Sequence, residues 1–202
     1  MILAEDRGSL LPQAGAARSR WPTRLVVTLV VSALLATAPA AAGGIWRRGE
    51  VADPGSLDPH KTSTLVEANI LDELYEGLLA RDAHGMLGPG VAARWDVSAD
   101  KRVYTFYLRP DARWSNGAQV TADDFVYSMR RLMDPKTGAQ YASILYDVQN
   151  ARAVNTGAMP LEKLGVRAVN ALTLEITLEH PATYLLAQLT HMTALPALPP
   201  EH

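Results

Sequence analysis

The 202 residues contain no cysteine. That absence excludes a disulfide framework, a thiolate metal site and a cysteine nucleophile. It also removes the residue through which bacterial lipoproteins are lipidated. An excess of one charge is missing too: 19 Lys and Arg stand against 21 Asp and Glu, a net charge of -2. Such a chain carries no basic field to draw in phosphate backbones, so no nucleic-acid partner is expected. No G-x-x-x-x-G-K-[ST] occurs, which excludes a nucleotide-binding P-loop. Beyond residue 42 there is no apolar run of spanning length, no internal repeat and no low-complexity tract. What remains, 48% hydrophobic and 20% charged residues, suits an ordinary globular core.

Residues 1–24 hold Arg18, Arg20 and Arg24, and residues 25–38 are apolar or small throughout, with an alanine-rich exit. A basic flank, an apolar run and small residues at the exit predict a secretory signal peptide, with cleavage after Ala40 or Ala42. An uncleaved anchor is the competing reading, weakened by Thr28, Ser32, Thr37 and Pro39.

From Thr64 onward, Leu65, Ala68, Leu71, Leu74, Leu78 and Leu79 recur at three- and four-residue intervals. The spacing predicts an amphipathic helix fraying at Gly77, with Glu67, Asp72, Glu73 and Glu76 on its polar face. The stretch 95–132 follows as a strand, a turn and a helix. Val103, Thr105 and Tyr107 alternate with Tyr104, Phe106 and Leu108, the period of a pleated strand that Pro110 stops. Asn116 and Gly117 predict a tight turn. Thr121 is placed to cap a helix whose first turn carries Asp123 and Asp124, with Phe125, Met129 and Leu132 on one face. Further on, Leu172, Leu174, Ile176 and Leu178 alternate with Thr173, Glu175, Thr177 and Glu179, a half-buried strand preceded by a turn at Asn170 and Ala171. Pro181 then opens a helical stretch through residue 189.

Little of this points to reaction chemistry. His60, His84, His180, His191 and His202 lack metal-site spacing and are read mostly as surface or loop residues. Asp123 and Asp124 are read as helix caps rather than a catalytic carboxylate pair. Ser115 and Ser128 have neither a nucleophile elbow nor a nearby base, so no enzyme is predicted. Trp95 and Trp114 are read as packing anchors rather than ligand platforms.

Read as text, three blocks say more. The order W-x-V-S-x-D-x-x-x-Y-T-F-x-L-R-x-x-A-x-W-S-N-G from Trp95, followed by T-A-x-D-F-V-Y-S, is the first. Ser56, Leu57, Asp58, Pro59, then Asn69 and Leu74, Tyr75, Glu76, Gly77, Leu78, make the second. L-G-V-x-A-x-x-x-x-T-L-E-I-T-L-x-x-P-x-x-Y-x-L from Leu164 is the third. Together, over residues 50–198, they resemble the family 5 extracellular solute-binding proteins. These are periplasmic binders of oligopeptides, dipeptides and some nickel or haem ligands that feed ABC importers.

The resemblance implies a mixed α/β fold of the periplasmic binding protein type II kind. Residues 1–42 would be leader and signal peptide, 43–80 a first segment of lobe I, and 81–202 the small extra domain with the start of the return to lobe I. It implies an exported, periplasmic binder of oligopeptides that meets ABC permease subunits in the inner membrane, with no cofactor. Carried over by position, Ser63 and Leu65 lie along the peptide, and Tyr141 and His191 approach it. Tyr141 can equally be a core or interlobe tyrosine. Relatives carry an acidic residue at the position of Ser63, so their ligand-charge preference does not transfer. Family members are much longer, and the chain is expected to be a truncated or split product lacking the second lobe. Two alternatives stay open: a dipeptide, nickel or haem binder of the same superfamily, and a structural or interaction fragment.

Overall fold

The computed structural model describes residues 49–197 and residue 199. The predicted signal peptide and His202 lie outside the described residues. Within them, no helix is long and apolar enough to cross a membrane.

The fold is built on strand β4, Val103–Leu108, in which residues 104, 106 and 108 are buried and 103, 105 and 107 are half-exposed. The period-2 pattern therefore works as predicted: one face joins the core and the other meets solvent. Strands β3 (Ala92–Val97) and β6 (Thr173–Thr177) pair antiparallel with β4 on either side, and β5 (Val166–Asn170) pairs with β6. The sheet order is β3-β4-β6-β5. Register places Tyr104 opposite Ile176 and Phe106 opposite Leu174. All four are almost fully buried, and removing the Phe106 ring from water alone contributes about 2–3 kcal/mol. The β5–β6 turn forms at Asn170 and Ala171, where Asn170 Oδ1 accepts the Leu172 amide at 2.9 Å.

The other wall of the core is helix α2, Ala122–Met133. It buries Phe125, Met129 and Leu132 as predicted, and Val126 and Met133 with them. Thr121 and Asp124 form its capping box, in which the Asp124 carboxylate accepts the Thr121 amide at 2.8 Å. The same carboxylate accepts the Trp114 indole N–H at 3.0 Å. Trp114 and Trp95, both half-buried, pack against the core. Asp124 is thus a cap and Trp114 an anchor, in keeping with the sequence reading. Gly117 takes a φ of 91°, and its amide closes the predicted turn onto the Trp114 carbonyl at 2.9 Å.

Three predicted features come out differently. The first helix, α1, is Leu65–Leu74 and does not run on to Leu79. Tyr75 is extended, and the Gly77 and Leu78 carbonyls accept the Val91 and Ala92 amides at 2.9 and 3.0 Å. The chain leaves the helix at the extended Tyr75, and this non-local pairing holds it in its new course. Leu79 instead begins β1 (Leu79–Arg81), which pairs with β2 (Leu87–Pro89). Glu67, expected on a polar face, is buried, while Leu65 and Leu74 are exposed. Near the C-terminal end, helix α4 is only Leu185–Gln188 and excludes Pro181. The Ala182 carbonyl there serves the Leu185 amide and the buried Tyr104 hydroxyl, 3.2 and 3.1 Å away, in a turn rather than a helix. Between α2 and β5 lies the short helix α3, Ala151–Asn155.

Two hydrophobic clusters result among the described residues. The large one joins the sheet to α2, and the small one joins Leu71 of α1 to Met192 and Leu195. Where β2 turns into β3, a Cβ on Gly90 would sit 2.5 Å from the Gly77 carbonyl oxygen, whereas Gly88 has nothing within 4 Å. Gly90→Ala should therefore cost about 1–3 kcal/mol in urea unfolding, the usual range for forced overpacking, and Gly88→Ala much less.

Candidate functional site

Residues 55–64 have little apolar surface to bury, so polar contacts must place them. The first is an Asx-type turn. The Asp58 amide donates to Ser56 Oγ at 3.0 Å, and Asp58 accepts from the His60 amide through Oδ1 at 3.1 Å and from the Lys61 amide through its carbonyl at 2.9 Å. Pro59 sits inside this turn, and Thr62 Oγ1 donates to its carbonyl at 3.1 Å.

The second is Glu67. Its carboxylate accepts the amides of Ser63, Thr64 and Gly55 at 2.8, 2.9 and 3.1 Å, and Thr64 Oγ1 accepts the Glu67 amide in return. This is a capping box with an extra arm into the preceding loop, and charge-assisted bonds of this kind are the strong ones. The Ser63 amide first, and the Thr64 amide next, hold the Glu67 carboxyl below its ordinary range.

The third reaches α2, where Ser128 and Arg131, three residues apart, share one edge of the helix. Arg131 grips Asp58 bidentately, at 2.8 Å to Oδ1 and 2.6 Å to Oδ2. The same guanidinium lies 2.7 Å from His60 Nδ1. Guanidinium can only donate, so Nδ1 accepts and the proton of the neutral ring sits on Nε2. Nε2 faces Ser128 Oγ at 3.3 Å. That hydroxyl also accepts the Ala197 amide at 3.0 Å and donates to the Leu195 carbonyl at 3.3 Å.

Here the structure corrects two expectations. His60 does stand in a loop, but it is 1% exposed rather than on the surface, and Ser128 does have a histidine beside it. The pair is nonetheless no nucleophile and base. A base would need an unprotonated nitrogen toward Ser128, and Arg131 occupies the only one. Burial first, and the Arg131 charge second, push His60 down to about 4, so the ring is neutral at pH 7. Its Arg131 partner also holds Asp58 below the usual carboxylate range. The local signal in the sequence was slight. His60 and Arg131 are 71 positions apart, and only the shared edge of Ser128 and Arg131 hinted at a common partner.

The four residues proposed from the resemblance fall as follows. Ser63 is half-buried with its amide held by Glu67, and Leu65, the first residue of α1, is 81% exposed. Tyr141 is 41% exposed, which removes the core reading. It meets His191 edge to face, with ring centroids 5.5 Å apart at 64°. Thr193 donates its amide to His191 Nδ1 at 3.2 Å, which leaves Nε2–H for the outside. Burial lowers the His191 pKa, with Asp72 opposing. The two pairs are linked by their chain neighbours, since Thr62 Oγ1 lies 3.7 Å from Met192 Sδ. Beside His191 opens a cavity of roughly 400 Å3, lined among others by Arg81, Ile144, Tyr184 and Gln188. Among the described residues, no group of three or more His, Asp or Glu side chains could hold a metal.

Comparison with known proteins follows the same line. Residues 87–200 match the model of the bacterial extracellular solute-binding proteins, family 5 Middle. The chain belongs to this family. The family consists of solute-binding proteins rather than enzymes. The chain is 46% identical over 143 residues to the periplasmic oligopeptide-binding protein OppA of Escherichia coli K12, which covers 70% of this chain and 26% of that one. It is 37% identical over 169 residues to a probable deoxycholate-binding periplasmic protein, YgiS, of the same organism, covering 83% and 31%. A crystal structure of Haemophilus influenzae OppA in complex with the peptide RPPGFSPFR superposes with a TM-score of 0.72 at 43% identity, covering 74% of this chain and 29% of that one. The mixed α/β fold is thus that of part of a type II periplasmic binding protein. The chain spans about a quarter to a third of the length of these relatives.

Ser128→Ala removes the acceptor of the Ala197 amide and the partner of His60. It should lower stability by about 1–3 kcal/mol in urea unfolding, the cost of stranding buried polar groups. A fluorophosphonate probe should leave Ser128 of the native chain unlabelled; labelling there would restore the nucleophile reading.

Proposed function

We propose that the chain forms one wall of an oligopeptide site in the periplasmic receptor of an ABC importer, which passes its ligand to permease subunits in the inner membrane. The observation that carries this reading is the convergence of Tyr141 and His191, 5.5 Å apart, in a family whose relatives are named for peptides. Ser63 and Leu65, set along the peptide by the resemblance, would complete this wall as its rim, tied toward His191 through the contact of Thr62 with Met192. Tyr141 offers an aromatic face and a hydroxyl, and His191 a single outward N–H. Those are groups that orient a peptide without selecting its side chains, and the cavity beside His191 leaves room for a hydrated side chain.

The second wall belongs to a further lobe, and closure of the two over the ligand is a hinge motion driven by differential affinity for the closed state. The division that goes with this reading takes residues 43–80 as the first segment of lobe I and 81–202 as the small extra domain with the start of the return to lobe I. Export to the periplasm depends on the leader sequence and agrees with the location given for the relatives. No cofactor takes part.

The reading is tested in a chimera in which residues 49–197 replace the matching region of the Escherichia coli relative. Calorimetric titration with a tri- to pentapeptide pool should show binding, and Tyr141→Ala with His191→Ala should weaken it about tenfold or more, equivalent to about 1.4 kcal/mol. A folded chimera that binds no peptide, or whose affinity ignores both substitutions, refutes it. Deoxycholate serves as the competing ligand.

A further inference from the structure

The chain from Asp58 to Thr62 is tied to α2 and to residues 195–197 through one cluster in which His60 and Ser128 are buried, and Ser63 and Leu65 follow directly after it. We propose that Asp58, His60, Arg131 and Ser128 form an acid-released latch that holds the Ser63–Leu65 rim in place. The four act as positioning residues, since none of them faces the cavity beside His191. The functional importance of the rim rests on the peptide reading above; the latch itself does not.

The geometry makes His60 the release point. Its Nδ1 lone pair is what Arg131 donates to, at 2.7 Å. A proton on Nδ1 destroys that acceptor and sets an imidazolium against a guanidinium in a site where His60 is 1% exposed. The ring can escape only by leaving the pocket between α2 and residues 195–197. Asp58 attracts the new charge, but its carboxylate is shared with Arg131 through both oxygens, and its attraction is smaller than the opposition of burial and of Arg131.

The other groups facing the cluster do not answer for it. Asp58, on the loop itself, attracts the imidazolium but is outweighed by burial and by Arg131. From α2 come Arg131, its neighbour Tyr127, and Ser128. From beyond α1 comes Tyr75, whose pKa is raised by burial first and the Asp58 charge second, so it stays neutral in acid. Residues 195–197 present only backbone groups, of which Leu195 favours the charged ring, but less than burial and Arg131 oppose it. Glu67, which holds Ser63 and Thr64 from the other side, is kept ionised below the ordinary carboxylate range.

The sign follows. A released, solvated His60 titrates near 6.5 and the latched one at about 4. Between those values the released form binds the proton and the latched form does not, so acid favours release. The ratio of latched to released loop should fall by roughly two powers of ten across that window. Asp58 and Glu67, both below the ordinary carboxylate range, add their losses only in stronger acid.

The experiment is an NMR pH titration of the 202-residue chain from 7.5 to 4, without peptide. It follows the His60 imidazole, the Ser63 and Thr64 amides, and the Phe106 and Leu174 amides of the sheet. The expected result is one shared midpoint for the His60 ring and the two loop amides, below 6.5, with the sheet amides unmoved. His60→Gln should abolish the loop transition, and His84→Gln, in an exposed turn, should keep it. Loop amides that stay still, or move with a midpoint different from that of the ring, overturn the latch. So does a loop transition that persists in His60→Gln, which would assign it to another group, or simultaneous loss of the sheet amides, which would make it acid unfolding. If His60→Gln fails to fold, coincidence of the midpoints in the native chain decides alone. Because no peptide is added, the latch and the peptide site can fail separately.

Discussion

Arg131 is the point on which the arrangement depends. From one edge of α2 it binds Asp58 through two hydrogen bonds and His60 through a third, and thereby decides where the segment after residue 55 lies. An ion pair whose side chains are about a quarter exposed loses less to desolvation than a fully buried one. Removing one partner would still strand the other beside a buried histidine. Ser128 extends the same chain of contacts to residues 195 and 197, so α2 gathers the beginning and the end of the described chain onto one helix edge.

This division of labour explains the character of the two clusters. The sheet and α2 share a large apolar core around Phe106, Phe125 and Leu174, which makes a firm platform. The smaller cluster of Leu71, Met192 and Leu195 buries little, and the loop before α1 is placed by hydrogen bonds to Glu67 and α2 instead. A segment held by a few polar contacts opens more readily than one held by apolar packing. That suits the role proposed for this loop, a rim that would order around a peptide and release it. Tyr141 and His191 stand nearer the firm side, on chain segments packed against the main cluster through Ala142 and Ala194.

Much of the platform was legible in the sequence because its signals are local. The alternation in β4 and β6, the Asn170 turn, the Asn116–Gly117 turn and the Asp124 cap all act within a few residues of themselves. The errors share one cause. Helix α1 ends at Leu74 and the chain beyond it pairs through the Gly77 and Leu78 carbonyls with residues 91 and 92, and no helical periodicity reports a ladder formed from a distance. Glu67 looked like one more acid on a polar face because its three amide donors lie in an irregular loop. His60 looked ordinary because Arg131 and Ser128 are far along the chain. Of the candidate site, Ser63, Leu65, Tyr141 and His191 came from resemblance rather than from periodicity or spacing. The fold adds that Tyr141 and His191 meet and that Tyr141 is open to solvent.

The proposed wall of the peptide site lies on the side marked by Tyr141 and His191. Chemical-shift mapping of the isotope-labelled chain with a tripeptide at millimolar concentration tests it directly, since a single wall binds weakly but locally. The perturbed amides should cluster at residues 62–66, 141–144 and 188–193. Perturbations centred elsewhere, such as the groove beside Trp114 and Arg109 or the outer face of β5, would contradict it, as would none at all.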